Sequence, residues 1–158
     1  MSPLGAVLAD LADPALETRL HADAGLKAAS AELEAALTAL LNDLHAPAEA
    51  RWRAAFLLGD LGCQTAIPAL VAGLADANWS VRHACACALG TLGNPAALPA
   101  LLALATAQQP DEQTNYVAAI GLLRLHRGQG EAVLRAVAAG GNRAGRNTAV
   151  SALASLAY

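Results

Sequence analysis

The sequence predicts an all-α solenoid of antiparallel helical hairpins, on three observations. The first is composition: 56% of the residues are apolar but only 3% are aromatic. The core is therefore built from Ala, Leu and Val, and Ala and Leu stand at the top of the helix-propensity ranking. The second is internal repetition. AEARWRAAFLLGDLG (48–62), WSVRHACACALGTLG (79–93) and DEQTNYVAAIGLLRL (111–125) align without gaps at a step of 31 residues, a length that suits one helix–turn–helix unit. The third is spacing within a copy. Val81, Ala84, Cys85, Ala88, Leu89 and Leu92 fall at i, i+3, i+4, i+7, i+8 and i+11, one face of an α-helix. A hairpin this thin cannot keep its own apolar stripe dry, so the copies must stack.

At 158 residues the chain is expected to form one domain. Residues 1–46 are expected to form an N-terminal cap of about three helices, 47–140 three repeats, and 141–158 a C-terminal capping helix. In the cap, Asp13-Pro14 starts a short helix and Ala24-Gly25 breaks it. SAELEAALTALLNDL (30–44) sets Leu33, Leu37, Leu40, Leu41 and Leu44 on one face. The repeats keep register at Leu58, Leu89 and Ile120, at Gly59, Gly90 and Gly121, and at Leu61, Leu92 and Leu123. Ser80 is the expected cap of the helix beginning at Val81, and Asp111 takes the same place one repeat later. Gly93 closes that helix, and Asn94-Pro95 opens the next as cap and first residue. The second helices also match, with Pro68 and Pro99 a further 31 apart. A fourth copy, GRNTAVSALASLA (145–157), follows at a step of 33, and a two-residue insertion in RLHRGQG (124–130) accounts for the difference.

The pattern V-R-x-A-x-x-A-L-G-x-L-G over Val81 to Gly93, followed by a Pro-containing helix, together with the turn Asp76 of the preceding unit, resembles HEAT-like repeats of the phycobilisome-lyase type. The resemblance runs best over 48–140. It implies a right-handed superhelix of antiparallel hairpins whose second helices line a concave face that engages proteins. It also implies an Asp–Arg ladder between neighbouring units. The Arg positions hold Arg51, Arg82, Gln113 and Arg146; the Asp position holds Asp76 and then Ala107, so the ladder is expected to be incomplete. No single activity follows from such a fold.

The net charge of −3 excludes a polyanion binder working through overall charge. No apolar run is long enough to predict a membrane span. An acidic N-terminus does not fit a secretory signal, and three cysteines do not suggest a disulfide framework. A cytoplasmic protein is the expectation. Cys85 and Cys87, two apart on a helix, point about 200° away from each other and cannot share an ion. Their counterparts in the other copies are Ala54, Tyr116 and Ala149, and Phe56, Ala118 and Ser151, which reads as packing. His83 and Cys87 share a face, but two ligands do not make a zinc site. The HEAT-like deoxyhypusine hydroxylases hold iron on His-Glu pairs. None of His21, His45, His83 and His126 is followed by Glu. No metal, cofactor or catalytic set is therefore expected.

The partner is expected to be another protein. Trp52 stands where the other copies carry His83, Thr114 and Asn147, and an aromatic at an otherwise polar position is a candidate anchor; partial packing on the cap is the alternative. Trp79, next to the expected cap Ser80, is a second candidate, against a staple onto Ala84. Charge is segregated: residues 1–50 hold eight acids and two bases, residues 113–158 five Arg and one Glu. Arg124, Arg127, Arg135, Arg143 and Arg146 thus offer a basic end for an acidic partner or nucleic acid. The second helices, rich in Ala, Leu and Pro, give little to hold phosphates, so protein is preferred over nucleic acid. An apolar concave groove would take a helix or loop of another protein, with homo-oligomerisation as the competitor.

Overall fold

The computed structural model describes residues 31–106, 112–125, 127–140 and 143–154. The cap helices expected in residues 1–30, the cap Asp111, and the side chains of Ile120 and Arg127 lie outside this description. Eight α-helices and two 3₁₀ turns make up the described residues, with no strand among them. The helices are α1 (Ala31–Asn42), α2 (Ala48–Asp60), α3 (Ile67–Gly73), α4 (Trp79–Leu92), α5 (Leu98–Thr106), α6 (Glu112–Leu125), α7 (Arg127–Gly140) and α8 (Arg143–Ala154).

They alternate between two rows. The first helices of successive units, α2, α4, α6 and α8, pack side by side in one row, and α1, α3, α5 and α7 form the other. Each second helix leans on the first helix of the following unit, α1 on α2, α3 on α4 and α5 on α6. The core is one continuous cluster. Leu33, Leu37 and Leu41 of α1 enter it, followed by Leu58, Leu70, Leu89, Leu101, Leu122 and Leu134. Leu58 and Leu89 hold the same repeat position and are both fully buried, as a shared interior requires.

The glycine register sets the helix spacing. A Cβ on Gly59 would stand 2.7 Å from Ala88 Cα, and one on Gly90 would stand 2.4 Å from Arg124 Cβ. Neighbouring first helices approach so closely that only hydrogen fits at these points. Turns follow the local chemistry. Gly62 and Gly93 take left-handed φ values of 76° and 65°. After α2, Cys63 N–H reaches Leu58 O at 3.0 Å and Gly62 N–H reaches Gly59 O at 3.2 Å, a Schellman closure. The third copy has Arg124 at that place, and α6 runs on to Leu125.

Three expectations are corrected. The cap of α4 is Asn78, not Ser80: Asn78 is extended (φ −87°, ψ 124°) and its side chain accepts from Ser80 N–H, so the helix starts at Trp79. Asn94 does act as a cap, but of a 3₁₀ turn (Pro95–Ala97) that precedes α5. Leu44 does not share the α1 face; the helix ends at Asn42 and leaves Leu44 exposed.

Among the described residues the ladder shows a full rung between Arg51 and Asp76. Arg51 donates to both oxygens of Asp76, Nη2 to Oδ1 at 2.9 Å and Nε to Oδ2 at 3.2 Å, and both side chains are almost fully buried. Arg51 also donates to Ala46 O. Asp76 Oδ1 accepts from Asn78 N–H at 2.8 Å, and its backbone carbonyl accepts from Arg82 at 2.8 Å. One aspartate thus ties α2, the turn after α3, and the start of α4. A second clasp runs along the other edge. Gln64 donates to Leu92 O at 3.0 Å and accepts from Asn94 Nδ2 at 2.9 Å.

Candidate functional site

Because α2 is flanked on both sides, it shows solvent only a narrow stripe. Glu49, Phe56 and Asp60 are exposed and Trp52 is half-buried, spaced three or four residues apart as one helix face demands. On α4 the matching stripe is Trp79, His83, Cys87 and Thr91. Cys87 is buried at its floor. Between the helices lies a cleft of about 170 Å³ lined by Phe56, Asp60, Cys87, Ala88, Thr91 and Arg124.

Of the aromatic groups Phe56 lines this cleft, whereas Trp79 stands two turns before Cys87 on α4. Trp79, the first residue of α4, is 45% exposed and Phe56 is 38% exposed. The Trp79 ring tilts over His83, centroids 5.8 Å apart and planes at 54°. The expected staple onto Ala84 required Trp79 to precede the cap; as the residue after the cap, it stacks on the next turn of its own helix instead. Trp52 packs against the core, and the Arg53 guanidinium covers its ring at 5.0 Å, a cation–π contact. Arg53 in turn donates to Glu49 at 2.8 Å. The structure therefore makes Trp52 partly a packing residue and brings forward Phe56, which sequence reasoning had grouped with the packing position of Cys87. Its signal was available: Phe56 lies four residues after Trp52 and four before Asp60.

The cleft chemistry is quiet. Cys87 Sγ is 3.7 Å from His83 Nε2. Burial pushes the Cys87 thiol up, offset in part by Arg124, while burial and then Arg124 push His83 down. Both therefore rest neutral at pH 7, a protonated thiol beside an uncharged imidazole. Such a thiol is a poor nucleophile. Cys85 is held far above the ordinary thiol value, by burial first and then by Asp76, and Cys63 is raised by burial and then by Glu34. Among the described residues, no group of three or more His, Cys, Asp and Glu side chains could hold a metal ion.

The basic residues are distributed over three helices. Arg124 lines the cleft. Arg135 is tied to Glu131 four residues earlier, at 2.6 Å. Arg143 and Arg146 are exposed on α8, and Arg127 opens α7. On α3 and α5 the exposed residues are small or Pro: Pro68, Ala72, Pro99 and Ala103. Among the described residues the large exposed apolar side chains are Leu44, Phe56, Trp79 and Val150, in the α1–α2 loop and on the first helices.

The sequence profile described as HEAT repeats matches residues 33–114. The chain belongs to the HEAT repeat family. Human deoxyhypusine hydroxylase, solved in complex with glycerol, is similar in structure. Its TM-score is 0.64 at 30% identity, over 76% of this chain and 42% of the enzyme. The HEAT repeat chain thus spans less than half the length of that hydroxylase. The complex of CpcE and CpcF of phycocyanin lyase from Nostoc sp. matches over 100% of this chain and 78% of that one. Its TM-score is 0.49 and its identity 22%, and at that level the likeness carries no structural argument. No curated protein sequence matches the chain. Among the described residues no helix is long and apolar enough to cross a membrane.

Proposed function

We propose that this HEAT repeat chain is a non-catalytic protein-binding module that holds an apolar helix or loop of another protein. In this reading residues 1–158 form one cytoplasmic solenoid, capped by 1–46 and 141–158 around three repeats in 47–140, and it works without a cofactor. The observation that carries the proposal is the pair of large exposed aromatics on adjacent first helices, Phe56 and Trp79, of which Phe56 lines the cleft. Large exposed aromatics beside a shallow concavity are what interface anchors look like. Trp52 lies one turn before Phe56 on the same stripe of α2, and Arg124 with Asp60 gives the cleft rim a polar edge of both signs. Arg127, Arg135, Arg143 and Arg146 supply a second, basic contact for an acidic part of the same partner. Nucleic acid is disfavoured because the exposed residues of α3 and α5 are small or Pro and give little to hold phosphates. Hydroxylase chemistry is disfavoured because its ligand pairs are absent from the sequence.

The test is affinity capture with tagged wild-type chain, followed by identification and purification of the captured protein and titration of the pair. Phe56→Ala with Trp79→Ala is expected to weaken the titrated affinity by about 10-fold or more, the scale of a hot-spot loss. Trp52→Ala should weaken it less. Binding unchanged by these substitutions and by Arg143→Glu with Arg146→Glu would remove both surfaces.

A further inference from the structure

The cleft between α2 and α4 holds a cation that is placed by a missing side chain. Arg124 comes from α6, the next helix in the row, and lines the cleft. A Cβ on Gly90 would overlap Arg124 Cβ and stand 3.3 Å from its Cδ, so the bare backbone of α4 is where the arginine stem lies. Among the described residues the guanidinium forms no hydrogen bond or ion pair, although Asp60 lines the same cleft. Its charge is felt at the floor. Burial first and Arg124 second hold the His83 imidazole down, and Arg124 opposes the rise that burial imposes on the Cys87 thiol. His83 is therefore neutral at pH 7, and Arg124 is the standing positive charge beside it.

The rest of the lining is apolar or already engaged. Phe56, Ala88 and Cys87 give the apolar surface, and Thr91 donates its hydroxyl proton to the Cys87 carbonyl oxygen at 3.0 Å. The space is about 170 Å³, room for one ring or one branched side chain, since a cavity of about 150 Å³ holds benzene. An ordered guanidinium at the edge of an apolar floor suits a carboxylate joined to an apolar group. A bare phosphate fits less well, because Phe56 and Ala88 would face its charge. We propose that the bound segment of the partner carries an acidic residue directly beside its apolar anchor, the anchor entering between Phe56 and Ala88 and the carboxylate resting on Arg124. This rests on the reading of the chain as a binding module and adds the chemistry of what it binds. Asp60, on the α2 side and with a partner of its own, sets the direction: the carboxylate lies toward α6. Because the arginine stem is packed before binding, less rotamer freedom is lost when the pair forms.

The experiment is an NMR titration of the isotope-labelled 158-residue chain with two blocked dipeptides, N-acetyl-Phe-Glu-amide and N-acetyl-Phe-Gln-amide. The Glu peptide is expected to bind about 5-fold tighter, the upper reach of an exposed pair, and the difference should close in high salt. Arg124→Gln should bring the Glu peptide down to the affinity of the Gln peptide. Phe56→Ala should weaken both alike, and circular dichroism with a thermal melt checks that each variant is folded. The His83 imidazole should titrate at higher pH with the Glu peptide bound than with the Gln peptide, because the carboxylate offsets Arg124. Equal affinity of the wild-type chain for the two peptides overturns the proposal. So does a Glu preference that survives Arg124→Gln, or no binding of either peptide at millimolar concentration. Binding of N-acetylphenylalanine in place of both amides also overturns it, since that describes a free chain terminus. Equal peptide affinities alongside a captured protein that still depends on Phe56 and Trp79 would remove the acidic chemistry and leave the binding module standing. A Glu preference with no such captured protein would do the reverse.

Discussion

Replacing Asp76 with Ala is expected to be the most damaging single charge change in the molecule. Asp76 holds Arg51 by two hydrogen bonds, at 2.9 and 3.2 Å, and the two side chains are only 10% and 4% exposed. Removing the carboxylate leaves the guanidinium in a nearly dry site, donating to the Ala46 carbonyl oxygen but facing no counter-charge from Asp76. Breaking a buried pair in this way costs about 3–5 kcal/mol, because a buried charge is left uncompensated. For a chain of this size each kcal/mol lowers the thermal midpoint by roughly 2–4 °C, so the midpoint should fall by roughly 6–20 °C. Circular dichroism melts and urea titrations read this directly. The double variant Arg51→Met with Asp76→Leu removes both charges and should recover most of the loss. A single-variant cost below about 1 kcal/mol, the scale of an exposed pair, would refute the reasoning. So would a double variant as unstable as the single one.

Gly90→Ala should destabilise by about 1–3 kcal/mol in urea, because its Cβ would meet Arg124 Cβ and the Gly121 carbonyl oxygen. Leu89→Ala should cost about 2–5 kcal/mol through the cavity it opens in a fully buried site. His83 has a folded pKa below its unfolded one. Its neutral form therefore adds stability that is complete above about pH 6.5 and lost as the pH falls through the folded value; His83→Gln should flatten the acid limb of a stability–pH curve. The buried thiols have folded values above their unfolded ones, so their contribution is whole below about pH 8.5 and fades as the pH rises. Native Cys85 should resist a thiol reagent at pH 8 and react only on unfolding, and Cys85→Ala should soften the alkaline limb.

The repeat and its shared interior could be read from letters alone, since a step of 31 brings Leu58 under Leu89 and Gly59 under Gly90, and stacking preserves that register. What escaped depended on backbone detail or on packing between units. Asn78 and Ser80 are both good capping residues, and only the extended backbone at Asn78 decides between them. Leu44 continues the heptad-like spacing of α1, yet the chain turns away after Asn42 before that spacing can be used. Phe56 and Cys87 are register equivalents, but one is open and the other floors the cleft, because Arg124 of the following helix leans over only the second. Arg124 itself was grouped by sequence position with Arg143 and Arg146, and no linear reading places it beside Cys87.

The glycine contacts have a mechanical consequence. Where Gly59 and Gly90 meet the next helix, the row of first helices already stands at the smallest separation its atoms allow, so compressing that row is steeply resisted. The second helices touch one another only sparsely and can part or approach at little expense. Bending of the molecule therefore pivots about a stiff spine of first helices, and Phe56 and Trp79, both on that spine, keep their places while the far side flexes.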